Sequence, residues 1–176
     1  MCDTEIHGVH VFKSQAHLDD RGSWVRTFDS DWDCSREIGL EPFVQISVST
    51  NPKRGTFRGL HYLLVEAGEW KLVTCVSGSV QDILLDTRKD SLTHGRIMSV
   101  ELNPQDVKSL LIPPGVAHGF LTLQENSILT YAMTAKYDQK ADRGVSIFSE
   151  RLKNVLAFEP TLMSSRDSGL PLLEDV

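Results

Sequence analysis

Turn-forming residues recur at short intervals through most of this chain, and their spacing leaves little room for helices. The signals are "NPKRG", "EAGE", the Ser77–Gly78 dipeptide, "RKDS", "NPQD", "PPG" and "QENS". Between them lie "KLVTCV", "SVQDILLDT", "GRIMSVEL", "KSLLIP", "HGFLTL" and "SILTYAMT". These segments are strand-length, rich in valine, isoleucine, leucine and threonine, and too short for helices. Many short strands at near-regular spacing predict a mainly β fold, a sandwich or barrel. One early segment reads differently. "SDWDCSREIG" has a capping serine, acidic residues in its first turn and a closing glycine, which predicts a helix over Ser30–Ile38. The C-terminal third loses the rhythm, and "SERLKNVLAF" leaves open a short helix or an irregular wrap.

The 176 residues are expected to form a single domain, 1–176, large enough to bury a core. A net charge of -6 argues against bulk attraction to nucleic acid or an anionic membrane, although a local basic pocket for a small anion stays open. The three cysteines, Cys2, Cys34 and Cys75, are far apart and form no CxxC pair. That pattern fits neither a disulfide framework nor a zinc knuckle, and it suits a reducing compartment. The start, "MCDTEIHGVHVF", has no apolar run of signal-peptide length, so the expected location is the cytoplasm.

The stretch "FRGLHYLLVEAGEWKLV", Phe57–Val73, sets the functional question. It places an arginine, a histidine and a lysine in segments that read as strands, and such groups are costly on an inward face unless paired. "IPPGVAHGF", Ile112–Phe120, resembles the second conserved segment of cupin barrels, in which a Pro–x–Gly turn precedes a histidine. Metal-binding cupins also need a His–x–His pair on one strand face, because alternate residues point the same way. His61 stands alone, Glu66 and Glu69 fall in a turn, and His7 and His10 have the wrong spacing, so no metal site is expected.

Taken in order, the motifs carry a more specific resemblance. They are "DDRGSW", "FVQISVS", "RGLHY" (Arg58–Tyr62), "KLV" (Lys71–Val73), "D-x-R-x-x-S-x-T-x-G" (Asp86–Gly95), "IPPGVAHGF", the tyrosine of "LTYAMT", "ADRG" (Ala141–Gly144) and "SSRDSGLPLLED". Together they resemble the dTDP-4-dehydrorhamnose 3,5-epimerase family over about Asp19–Asp175. The resemblance implies a cupin-type double-stranded β-helix, or jelly roll, with a few short flanking helices. It also implies a nucleotide-diphosphate 4-keto-6-deoxysugar as substrate, no cofactor, and a homodimer in which an N-terminal strand crosses to the partner sheet.

Such an epimerase removes a proton beside a ketone, holds the enolate, and returns a proton to the opposite face. That chemistry needs a base near neutral, donors at the oxyanion and an acid across the ring. The resemblance implies His61 as the base, Asp167 as the carboxylate that orients it, Lys71 at the enolate and Tyr131 as the opposite-face donor. It implies Arg58 and Arg21 at the diphosphate, and Gln45 and His118 around the sugar and phosphate. Tyr137 remains from a pair of tyrosines, and Trp24 would join Arg21 in completing a neighbour's pocket. Some positions depart from the family pattern: Arg26 replaces a common glutamate, Leu63 a glutamine, and Lys136 the first of the paired tyrosines. Two other readings stand beside epimerisation. One is a 3,4-ketoisomerase on the same scaffold, the other a protein that holds a nucleotide-sugar without converting it.

Overall fold

The computed structural model describes residues 4–175, without the side chains of Asp33, Cys34 and Asp175, so the readings for Cys2 and the Cys34 thiol lie outside the described residues. The strands are β1 (His10–Lys13), β2 (Ala16–Asp19), β3 (Gly22–Val25), β4 (Gln45–Asn51), β5 (Phe57–Leu63) and β6 (Lys71–Ser77). They continue with β7 (Val80–Asp86), β8 (Ile97–Leu102), β9 (Lys108–Ile112), β10 (Val116–Thr122), β11 (Ser127–Met133) and β12 (Asp142–Gly144). One five-stranded sheet runs β1-β9-β6-β11-β4, the other β12-β5-β10-β7-β8, and β2 pairs with β3 as a separate hairpin. All the strand pairs are antiparallel. The architecture is a cupin-type jelly roll.

Period-two alternation explains what the two sheets enclose. On β7, Val80 and Leu84 point between the sheets, where they meet Val73 and Cys75 of β6, Leu110 of β9, Val116 and Phe120 of β10, and Leu129 of β11. The intervening Ile83 and Leu85 face outward and are covered by the chain after β12, including Val145, Ile147 and Leu152. Fully burying one such side chain stabilises the fold by about 1.5–3 kcal/mol. The outer face of the first sheet is capped at one end by the segment around α1 (Asp33–Glu37), where Trp32, Ile38, Phe28 and Phe43 pack over Phe12, Leu72 and Leu111.

The predicted helix over Ser30–Ile38 is therefore real but shorter, about one turn. Its aromatic neighbours hold it down, since one turn has almost no stability of its own. "SERLKNVLAF" turns out to be mostly irregular, with a single 3-10 turn at Glu150–Leu152. Its Leu152, Val155, Leu156 and Phe158 serve as a cover for the second sheet. No helix among the described residues is long and apolar enough to cross a membrane.

One close contact shapes the site. A Cβ built on Gly59 would lie 2.5 Å from the Gly119 Cα, so β5 and β10 can approach there only because both positions are glycine. The pairing of β10 with β5 shifts register between His118 and Phe120. That shift lets Arg58 and His61, three residues apart, face the same cavity.

Candidate active site

Between the sheets, open at the β4 edge, lies a cavity of about 410 Å³ lined by Arg58, His61, Lys71, His118, Phe120, Tyr131 and residues 47–50. Each polar side chain arrives by strand parity. His61 and His118 are directly opposed on β5 and β10 of one sheet. Tyr131 pairs with Ser47 and with Val73, two residues beyond Lys71, so Lys71 and Tyr131 project inward from the other sheet. The cavity thus has an imidazole wall and a facing wall of phenol, ammonium and serine hydroxyls.

His61 and Asp167 are 106 residues apart in sequence, yet His61 Nε2 lies 2.7 Å from Asp167 Oδ1. Asp167 is held there by α2 (Ser165–Ser168), whose preceding Ser164 hydroxyl accepts a hydrogen bond from the Asp167 backbone N–H at 3.0 Å. Burial lowers the His61 pKa from its ordinary value. The negative charge of Asp167 works against that shift and the positive charge of Arg166 works with it. The ring is therefore mostly neutral at pH 7, with Nε2–H donated to the carboxylate. Its Nδ1 is buried without a hydrogen-bond partner among the described residues, the state of a lone pair that can take a proton.

Across the cavity, burial first and the charge of Asp82 second raise the Tyr131 pKa far above its ordinary value, so the phenol keeps its proton. Lys71 Nζ sits 3.2 Å from Glu69 Oε2, with only 19% of the lysine side chain exposed. It is a cavity residue, not an edge lysine with its ammonium in solvent. Arg58 is steadied by a hydrogen bond from Nε to Asn51 Oδ1 of 2.9 Å.

The other expected binding residues are not brought into this cavity. Gln45 Oε1 accepts the Tyr137 backbone N–H at 2.7 Å, and the Tyr137 hydroxyl donates to Asp142 Oδ2 at 2.8 Å, outside the cavity wall. Asp142 also pairs with Arg166, so these contacts tie the segment before β12 to α2. Arg21 bonds Asp19 of its own hairpin, and Trp24 is exposed beside His17 and under the Arg26 guanidinium. Within one chain, then, Arg21, Trp24, Gln45 and Tyr137 are not cavity-lining residues. Leu63 is buried at the end of β5, opposite Asp142.

Sequence reasoning missed three participants: Asp82, Glu69 as the partner of Lys71, and the serines of β4. Asp82 is fully buried, and its Oδ2 accepts from His118 Nε2 at 2.8 Å. The available signal was parity, because Asp82 sits between the inward Val80 and Leu84 of "SVQDILLDT". Among the described residues no group of three or more histidine, cysteine, aspartate or glutamate side chains is placed to hold a metal ion.

A jelly roll with a neutral histidine–carboxylate pair on one wall and a protonated phenol and an ammonium on the other is equipped to move protons at carbon beside a carbonyl. This is the class of the carbohydrate epimerases. The dTDP-4-dehydrorhamnose 3,5-epimerase family profile matches residues 3–175. A dTDP-4-dehydrorhamnose 3,5-epimerase of Sinorhizobium fredii is 34% identical over 96% of this chain and 86% of its own length. The crystal structure of a dTDP-4-dehydrorhamnose 3,5-epimerase from Bacillus anthracis, with TDP and PPi bound, superposes with a TM-score of 0.89 at 30% identity, covering 97% of each chain. A 3'-monoepimerase from Streptomyces bikiniensis in complex with dTDP-quinovose gives 0.89 at 27% identity, over 99% of this chain and 88% of that one. The chain belongs to the dTDP-4-dehydrorhamnose 3,5-epimerase family, and it is an isomerase of the epimerase type.

Proposed function

We propose that this epimerase acts on a nucleotide-linked 4-keto-6-deoxy sugar at C3, C5 or both, without a cofactor. One observation carries the reading: the candidate base and the candidate acid project into one cavity from opposing sheets. A ring held between the walls meets His61 on one face and Tyr131 on the other, the arrangement that inversion requires. His61, oriented by Asp167, takes the proton α to the ketone. Lys71 and neighbouring donors hold the enolate oxygen, and Tyr131 returns a proton from the opposite face. Retention of all four groups favours epimerisation over ketoisomerisation or binding alone. Arg58, beside the sugar cavity, is suited to the diphosphate, where a guanidinium fork matches phosphate oxygens.

We assign the full binding site to a homodimer in the cytoplasm. Strand β4 is a sheet edge beside the cavity, and Val44, Ile46 and Val48 are exposed along it. Exposed apolar edges of this kind are usually covered. β1 pairs with β9 in its own sheet, which leaves the β2–β3 hairpin as the N-terminal element free to reach a partner. A hairpin seated near the partner's β4 would bring Arg21 and Trp24 to that cavity's mouth. A stable, fully active monomer in a sizing experiment would remove this assignment.

The test of the activity is incubation with dTDP-4-keto-6-deoxyglucose in D2O. Deuterium at both C3 and C5 supports 3,5-epimerisation, and deuterium at one carbon a mono-epimerase. No incorporation would overturn the reading.

A further inference from the structure

Asp82 has the features of a functional carboxylate with no role in the scheme above. Its side chain is fully excluded from solvent. Oδ2 accepts from His118 Nε2 at 2.8 Å, and Oδ1 has no hydrogen-bond partner among the described residues. The surrounding strands contribute Leu84, Val80 and Phe120, and the nearby polar groups are Cys75, Lys71 and Tyr131. A buried carboxylate with a single partner costs the fold more than it returns, because desolvation is offset at one oxygen only. Burial accordingly raises its pKa, against the pull of His118. An aspartate in such a place has little structural justification.

Its geometry supplies a different one. His118 lines the cavity, and with Nε2 engaged by Asp82 the other ring nitrogen, Nδ1, makes no hydrogen bond to a described residue. The ring also stands edge-on to Tyr131, with centroids 6.1 Å apart and planes at 75°, so its tilt bears on the phenol. We infer that Asp82 is a positioning residue for the epimerase reaction, fixing His118 as the Nε2–H tautomer so that Nδ1 is turned to the sugar and the ring supports Tyr131. An acceptor-only carboxylate specifies this tautomer, whereas an amide of the same shape can donate or accept and specifies neither.

The inference rests on the epimerase reading for its kinetic arm and is independent of it for its spectroscopic arm. In the unmutated protein, 15N NMR of histidine-labelled material should show His118 as the Nε2–H tautomer. An Nδ1–H tautomer overturns the inference whatever the activity. In Asp82→Asn, the same spectra should show a mixed tautomer population. Its kcat for inversion should fall roughly 10²-fold with KM changed less than about threefold, the signature of a group whose orientation matters to the transition state. Its melting temperature should equal or exceed that of the parent, since a desolvated charge has been removed. A lower melting temperature with parental kcat per folded molecule would show a structural role and overturn the inference. If the parent exchanges no deuterium into the sugar, the epimerase reading fails, and the tautomer measurement still decides what Asp82 does to His118.

Discussion

The Asp86 cluster and the His61–Asp167 pair both join distant parts of the chain through a carboxylate, yet they are built in opposite ways. Asp86 ends β7 and accepts from the backbone N–H, Nε and Nη2 of Arg88 and from the hydroxyls of Ser91 and Thr93. Arg88 in turn donates from Nη2 to the His7 carbonyl at 2.6 Å, which ties the "RKDS" turn to the N-terminal segment. Burial pushes the Asp86 pKa up, but the hydrogen bonds from Arg88, Ser91 and Thr93 outweigh it and hold the carboxyl at about 2. Both clusters border a cavity, but the His61–Asp167 pair keeps one ring nitrogen without a hydrogen-bond partner among the described residues. The difference separates two uses of buried charge. A fully satisfied group can only hold the fold, whereas a partly satisfied group keeps a valence for something else.

Substitutions can break this comparison. The largest effect is expected at His61→Ala, where substrate–solvent exchange and inversion should both fall by about 10²–10⁴-fold, as for a lost general base. The melting temperature should also fall, because Asp167 is left buried without its imidazole partner, so rates are compared per folded molecule. A variant retaining parental exchange in D2O would place the base elsewhere. Tyr131→Phe should divide the two readouts, with deuterium still washing in through His61 while completed inversion drops at least tenfold. Parental inversion by that variant would remove Tyr131 from the donor role.

At the other cluster the expectation reverses. Asp86→Asn should cost about 2 kcal/mol of stability, the value of moving a carboxyl from its ordinary 3.8 to about 2, with kcat per folded molecule unchanged. Denaturant titration and a rate at fixed folded fraction would check both halves, and a selective loss of rate would sink the structural reading.

The pH dependence sharpens the contrast with a smaller effect. Because burial holds the His61 pKa below its ordinary 6.5, kcat/KM should decline in acid as the imidazole gains a proton, with the midpoint of that decline below 6.5. The Asp86 contribution has the depressed-carboxylate sign: it is present above 3.8 and lost as pH falls toward about 2. Activity and this part of the fold should therefore follow separate curves in acid, one set by His61 and the other by Asp86. Coincident loss of rate and structure would merge two effects that the structure keeps apart.

Much of the barrel was readable because its signals are local. "KLVTCV", "GRIMSVEL" and "SILTYAMT" became β6, β8 and β11 with ends displaced by a residue or two, since turn residues fix where strands stop. Lys71 and His118 could be placed on strands by the same reasoning. The four-residue strands β1–β3 and the cover after β12 were not legible, because their order depends on tertiary contacts rather than on a repeating pattern. Asp167 illustrates the limit. Nothing near "SSRDSG" says that its carboxylate meets an imidazole on β5, and only the ordered set of motifs pointed there. Asp82 was missed for the converse reason. Its parity was visible, but a single charge in an apolar strand does not name its partner.

The separation of His61 from Asp167 also has a consequence in time. The strand carrying His61 is among the earlier parts of the barrel to be synthesised, and every other cavity residue of this chain is made before Asp167. While the polypeptide is emerging, the imidazole lacks the carboxylate that selects its tautomer, and the second sheet lacks its cover. The cover of the second sheet and the partner of the imidazole thus both come from the C-terminal stretch of the chain. A chain synthesised only as far as β11 carries the imidazole of His61 but not yet the carboxylate that it meets in the finished fold.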